Sequence, residues 1–370
     1  MDFEFNPFHD DLVASCSEDQ TIKVWRIPEG GLESNLTAPE VDLHGHGKKV
    51  TLLRSHPTAE NVLASTSADQ TVKLWDIEKG MEINTQADAH KDLIQDIVWD
   101  YVGQCYATSS KDKQVRIFDA RTAALVSAIP TAHEGSKSTK LTYLGNMDKL
   151  VTVGFTKQSQ RQFKIWDPRN LATELKRVDV DQAAGVIMPF FDPDTCLLYL
   201  AGKGDGNVRY YEVTSENPYC FPISEYRTSV SAKGMGWVPK RGLNIMACET
   251  ARMLKLTATA VEPLSFFVPR KSEAFQEDIY PDTISGEPAQ TADEWLAGSN
   301  LQPKLMSLNP KTSGGPTGHA PPSRASLAPG KSVPALVAEL DSTSKALEAA
   351  RARIIELEAR VKELELKAGA

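Results

Sequence analysis

No segment of this chain approaches the run of roughly 20 apolar residues that a membrane-spanning helix needs, so no membrane span is expected. The opening MDFEFNPFHDD has no basic segment followed by an apolar stretch, and no secretory leader is read there. Cysteine is scarce and unpaired in pattern: the five, at 16, 105, 196, 220 and 248, form no C-x-x-C motif. Four of them lie within or beside strand patterns, which favours buried reduced thiols over disulfides or metal ligation. An excess of positive charge is also missing. With a formal net charge of −8 and an isoelectric point near 5.5, the chain does not read as a general nucleic-acid binder.

Catalytic signatures are lacking as well. The seven histidines show no metal-ligand spacing, and no nucleophile with an adjacent base or paired carboxylates stands out. The glycine-rich AGKGDGN (Ala201 to Asn207) lacks a Gly-Lys-Ser/Thr ending and runs into strand residues, not a helix, so a turn is expected and not a phosphate loop. No catalytic, metal or cofactor residue is therefore assigned, an enzyme is not expected, and the chain reads as cytoplasmic.

What the chain does contain is repetition. NVLASTSADQTVKLWDI (Asn61 to Ile77) holds two short strand patterns joined by a polar turn at Ala68-Asp69-Gln70. An Asp suits such a turn because its side chain bonds nearby backbone. One hairpin is marginal alone, so it needs neighbours. LVASCSEDQTIKVW (Leu12 to Trp25) repeats the unit closely, CYATSSKDKQVRIFD (Cys105 to Asp119) more loosely, FKIWD (Phe163 to Asp167) closes a fourth, and LLYLAGKGDGNVRYYEV (Leu197 to Val213) is a fifth. The turn Asp and closing aromatic stay six apart in Asp19/Trp25, Asp69/Trp75, Asp112/Phe118 and Asp205/Tyr211. The closing positions Trp25, Trp75, Phe118, Trp166 and Tyr211 recur every 43 to 50 residues.

Such a period, with Gly45-His46 before a unit and Trp-Asp at its end, resembles the WD repeat of β-propellers. The resemblance implies an all-β propeller. It also implies a polar network inside each blade, here His46, Ser65, Asp69 and Trp75, with Asp19, Trp25, Asp112 and Trp166 in equivalent slots. Six units are counted. The fourth is irregular, because TKQSQRQ stands where a short turn is expected, and the sixth lacks a closing Trp-Asp.

Four regions are expected: a propeller over 1–265, an extension over 266–300 packed on it, a linker over 301–334 and a coiled coil over 335–368. In the extension, Phe266, Phe267, Phe275, Tyr280 and Trp295 need something to pack on, and the propeller underside is the candidate. Thr291 and Glu294 are spaced as a helix capping box. The run VPRKSEAFQEDIYPDTISGEPAQTADEW, with GFTKQSQRQFKIWDPRNL (Gly154 to Leu171), PFFDPDTCLLYLAGKGDGNVRYYEV (Pro189 to Val213) and KGMGWVPKRGL (Lys233 to Leu243), resembles the coronin family over about residues 1–308. That resemblance implies seven blades, a segment on the underside, a variable linker and a terminal coiled coil. It further implies binding to filamentous actin at the cell cortex, often together with the branching actin-related-protein complex. Six units against seven imply that one N-terminal blade is missing.

The linker is rich in Pro, Gly and Ser, and Lys304, Lys311, Arg324 and Lys331 face no acid there, so a flexible spacer is expected. Beyond it, Leu340, Leu347, Ile354, Val361 and Ala368 form one heptad seam, and Leu336, Thr343, Ala350, Leu357 and Leu364 the other. Such a helix, about 50 Å long, is marginal alone and should associate through its seam. Arg353 and Arg360 precede the seam residues Ile354 and Val361, with Glu358 and Glu365 five on from each arginine. This arrangement resembles a trimerisation signature, whereas Ile or Val at a with Leu at d favours a dimer. Trimer is favoured over dimer. Two functions from different classes remain: an oligomeric regulator of actin filaments, and a generic WD-repeat scaffold for assembly or vesicle trafficking.

Overall fold

The repeat units fold into six consecutive antiparallel sheets in a computed structural model that describes residues 1–270 and 274–310. The expected coiled coil, all its heptad residues, and the linker from 311 onward lie outside the described residues. Blade 1 comprises β1 (Asp2–Phe5), β2 (Leu12–Cys16), β3 (Ile22–Arg26) and β4 (Val41–Leu43). Blade 2 comprises β5 (Val50–Ser55), β6 (Val62–Ser67), β7 (Val72–Asp76) and β8 (Met81–Gln86). Blade 3 has β9 (Ile94–Trp99), β10 (Cys105–Ser110), β11 (Val115–Asp119) and β12 (Leu125–Ile129). Blade 4 has β13 (Lys140–Tyr143), β14 (Leu150–Phe155), β15 (Arg161–Trp166) and β16 (Lys176–Asp181). In blade 5 follow β17 (Ile187–Asp192), β18 (Leu197–Gly202), β19 (Val208–Val213) and β20 (Cys220–Tyr226). Blade 6 has three strands, β21 (Gly234–Trp237), β22 (Glu249–Leu256) and β23 (Val261–Phe267). Sheet order follows chain order in every blade, as short hairpins between neighbouring strands require.

Burial records which blades are sandwiched. In blade 2 every residue of β6 and β7 is buried, because both faces of the sheet meet a neighbour. In blade 1, β2 alternates buried and half-buried residues, the period-two signature of a sheet covered on one face. In blade 6, β23 alternates exposed and half-buried residues. Five apolar clusters join the six blades in sequence. The first packs Leu12, Ile22 and Val24 against Leu63 and Trp75. The last packs Tyr199 and Val208 against Ala251 and Met253. Among the described residues no such cluster joins blade 6 to blade 1. Phe3 and Phe5 stay 67% and 56% exposed on one side, and Val261 and Phe267 stay 59% and 55% exposed on the other. The two end blades instead share the walls of the central cavity and an ion pair, Arg241 to Asp10 at 2.6 Å.

Two expectations need correction. TKQSQ is a turn of the same kind as in the other blades. Thr156 N–H donates to the Gln160 carbonyl just as Ser67 N–H donates to that of Thr71. Ser159 adopts the positive φ (64°) that Gln20 (72°), Gln70 (72°) and Lys113 (70°) adopt in theirs. The last propeller strand runs through Phe267, two residues past the expected boundary, and the Phe267 ring faces solvent instead of packing.

The extension then crosses the structure as β24 (Thr283–Ile284), α1 (Ala292–Leu296) and β25 (Leu305–Met306), with β24 and β25 paired. Helix α1 starts at a complete capping box: Thr291 Oγ1 accepts from Glu294 N–H, and Glu294 Oε2 accepts from Thr291 N–H.

Candidate functional site

Blades 1 to 4 are each ordered by a polar chain at the end where the outer strand hands over to the next inner one. In blade 2, Trp75 Nε1 donates to Ser65 Oγ at 2.8 Å, and Ser65 Oγ lies 2.7 Å from His46 Nε2. His46 Nδ1 faces Asp69 Oδ2 at 3.1 Å, so the ring proton sits on Nδ1 and Nε2 accepts from the serine hydroxyl. Asp69 also accepts from the Thr71 N–H and hydroxyl and from Gly47 N–H. Burial pushes the Asp69 carboxyl up, but these hydrogen bonds and the facing His46 outweigh it and hold the group at about 2. Burial lowers His46 despite the pull of Asp69.

The other blades vary the pattern. Blade 1 has Trp25 Nε1 on Ser15 Oγ at 2.8 Å and Asp19 on Thr21, with no histidine in the chain of bonds. In blade 3, Asp112 accepts a forked pair of bonds from Arg116, whose Nη1 also lies 3.3 Å from His90 Nδ1. In blade 4, Trp166 Nε1 donates to Thr152 Oγ1 at 3.0 Å, His133 Nε2 lies 2.8 Å from the same oxygen, and Gln162 donates to His133 Nδ1. Glutamine there replaces the turn Asp. Asp205 of blade 5 accepts from Asn207 N–H in its own turn at 3.3 Å and also reaches out of its blade to pair with Arg161 of blade 4 at 2.7 Å. Arg161 also forks onto Asp181, through Nε at 2.6 Å and Nη2 at 2.5 Å.

A second constellation, which pattern reasoning on the sequence missed apart from Trp295, seats the extension against blades 2 and 3. Trp295 is fully buried among Val62, Leu74, Trp99, Tyr106 and Ala120. Its Nε1 donates to the Gly103 carbonyl at 3.2 Å. His56 Nδ1 accepts from Ala59 N–H at 2.8 Å, so the proton on Nε2 is donated to that same carbonyl at 2.9 Å. Gly103 has φ +77°, and a Cβ added there would stand 2.0 Å from the His56 ring, so only glycine fits. Arg121 lies over the Trp295 ring at 4.8 Å and donates through Nε to the Trp295 carbonyl at 2.6 Å. Gln290 Nε2 reaches Thr58 Oγ1 at 3.0 Å, and Lys79 pairs with Asp293. Trp295 and its cap were legible; His56, Gly103 and Arg121 carried no local signal, because they meet only after three distant segments fold together.

The inner strands enclose a cavity of about 1160 Å³ with walls from all six blades. Most of its charged side chains are paired: Arg54 with Asp2 at 3.2 Å and with Asp96 at 3.5 Å, Lys140 with Asp96 at 3.4 Å, and Lys240 with Asp192. Among the described residues no group of three or more His, Cys, Asp or Glu side chains is placed to hold a metal ion, and no helix is long and apolar enough to cross a membrane. All five cysteines are free thiols, and burial pushes the Cys105 thiol up to about 12.

Buried histidines make the fold acid-sensitive. Burial lowers His56 and His133 to about 3 and, aided by Arg116, lowers His90 to about 4, against about 6.5 in an unfolded chain. A base whose folded pKa is depressed supports the fold fully above its unfolded pKa and loses that support as pH falls. Burial raises the Asp100 and Glu4 carboxyls to about 6 and about 7, and these oppose the histidines over the same window. Three depressed histidines, with His46 shifted the same way, outweigh the two acids. Urea denaturation between pH 7 and pH 5 is expected to show a loss of about 1–3 kcal/mol per pH unit. A flat profile there would contradict neutral buried imidazoles.

Sheets of four strands in chain order, turn Asp residues tied to the preceding loop and Trp N–H groups capped by Ser or Thr define a WD-repeat β-propeller. Sequence comparison agrees: the WD domain, G-beta repeat family matches residues 2–26, 38–76 and 82–119, and a further type of WD40 repeat matches 261–303. Coronin-A of Dictyostelium discoideum is 46% identical over 308 residues, covering 83% of this chain and 68% of that protein. Human coronin-2A is 42% identical over 316 residues, covering 84% of this chain but 60% of its own length. The WD40 domain of Toxoplasma gondii coronin superposes with a TM-score of 0.79 at 33% identity, covering 83% of this chain and 80% of that one. A chain of the mitotic checkpoint complex, at 14% identity and a TM-score of 0.57, shares the fold alone. The chain belongs to the coronin family.

Proposed function

We propose that this protein binds actin filaments and regulates their organisation and turnover at the cell cortex, as a binding module without catalysis. The observation that carries this reading is family membership along most of the chain, at 41–46% identity to coronins. The seating of the extension supports it: Trp295, Arg121 and Gly103 make residues 290–300 an integral part of the propeller base, so the extension and blades offer one rigid surface to a partner. The heptads around Leu340, Ile354 and Leu357 would join chains into trimers, in preference to dimers, and so give several propellers to one filament. Cooperation with the branching actin-related-protein complex belongs to the same reading.

Co-sedimentation at low salt tests it. The chain is expected to pellet with filamentous actin, and light scattering on the same preparation is expected to give a mass near three chains. Absence of pelleting at every filament concentration would reject the filament reading. A mass near one chain would reject oligomerisation alone.

A further inference from the structure

The two ends of the propeller differ in charge. One end collects the turns between second and third strands and the loops that enter each inner strand. These segments are stitched together: Ala68 N–H bonds the Lys49 carbonyl, Lys111 N–H that of Leu93, Ala132 N–H that of Lys113, and Lys203 N–H that of Val186. The inner strands run in the same direction, since Asp2 accepts from Leu53 N–H and Glu4 accepts from Ser55 N–H, so these segments share one end in every blade. Acids are common in these turns, yet most are engaged by hydrogen bonds or ion pairs. Asp19 is held by Thr21, Asp69 by Thr71 and Gly47, Asp112 by Arg116, and Asp205 by Arg161. Glu18 pairs with Lys49 but stays exposed, as do Asp19, Asp88 and Glu134.

The lysines of the same segments point outward. Lys48, Lys91, Lys111, Lys157, Lys203 and Lys233 are all exposed, and none forms an ion pair among the described residues. The opposite end carries Glu29, Glu33, Glu78, Asp148 and Glu216 exposed, and Asp10 exposed but paired with Arg241. A chain of net charge −8 thus presents one cationic end, produced because turn chemistry consumes the acids and leaves the cations.

We propose that this end is the surface that meets the partner, and that the partner is an acidic protein surface. Resting on the filament reading, this names which end of the propeller faces the filament. The lysines come one or two to a blade from blade 2 to blade 6, around a broad rim, flanked by exposed Leu93 and Val230. They do not form the contiguous cluster of 4–8 cations typical of a lipid-headgroup site. Dispersed charge of this kind accelerates encounter and orients docking, and its effect fades with salt.

The test compares the full chain with two variants of equal charge change. Lys91→Gln/Lys111→Gln/Lys157→Gln removes three cations from this end. Ser34→Glu/Asn35→Glu/Thr37→Glu adds three anions to the exposed loop between β3 and β4 at the other end. In co-sedimentation with filamentous actin, the lysine variant is expected to bind about tenfold more weakly and with a shallower salt dependence. The loop variant is expected to bind as the unaltered chain does. Equal weakening by both variants, or none by the lysine variant, overturns the surface while leaving filament binding intact. Failure of the unaltered chain to pellet rejects the filament reading itself and this inference with it. Loss of flotation with phosphatidylserine vesicles in the lysine variant, with filament binding unchanged, would reassign the end to a membrane.

Discussion

Replacing Trp295 by alanine is expected to lower the unfolding free energy by about 3–5 kcal/mol, the usual loss for deleting a fully buried large aromatic. The magnitude follows from what the ring does. It fills the space between blades 2 and 3 beside Trp99 and His56, at ring separations of 6.4 and 4.9 Å, and it carries the Arg121 guanidinium on its face. Little nearby can collapse into the hole, because Gly103 and His56 are already in contact and each is fixed by backbone bonds. The Gly103 carbonyl would keep its bond from His56, so no acceptor is orphaned and the loss is mainly one of packing. The variant is also expected to admit protease within 274–310, since Trp295 anchors α1. Leu296→Ala, one residue on and exposed, should change stability by less than about 0.5 kcal/mol. Chemical denaturation of both variants decides the matter. A loss below about 1 kcal/mol for the tryptophan variant would mean that the extension does not contribute its packing to the propeller.

Arg161→Met is the second large effect, expected at about 2–4 kcal/mol. Arg161 is almost completely enclosed and holds carboxylates from two blades, Asp181 and Asp205. Its removal leaves these acids facing each other across blades 4 and 5. Asp181 would retain Arg209 at 2.8 Å, which sets the lower bound of the range. Asp205→Asn should cost less, because Arg161 keeps both its bonds to Asp181. Combining the two substitutions should cost less than their sum, since each removes one side of the same ion pair. Strict additivity in a double-mutant cycle would show that the pair across the blades does not couple them.

These two sites also mark where reading the chain as a string stops. The hairpin of Asn61 to Ile77, its turn and its closing tryptophan were legible because period-two alternation and Asp turn chemistry act within about ten residues. Repetition then made the class legible, since a unit that cannot bury its own faces must stack on copies of itself. The capping box at Thr291 was equally local. Asp205 looked like one more turn residue, and its spacing to Tyr211 did not distinguish it from Asp69. Only the placement of Arg161 in the adjoining blade gave it a different partner. His56 carried no sign of its role for the same reason: its bonds go to Gly103 and its ring to Trp295, which lie 47 and 239 residues away.

Local chemistry along the chain was therefore enough to establish repeat, turn, blade and family. Which blade faces stay bare, where the extension sits, and which end of the propeller is cationic came from assembly of the blades. Contacts between segments far apart in the chain have no periodicity to announce them. The direction in which an acid or a lysine points is settled by the neighbour that folds against it.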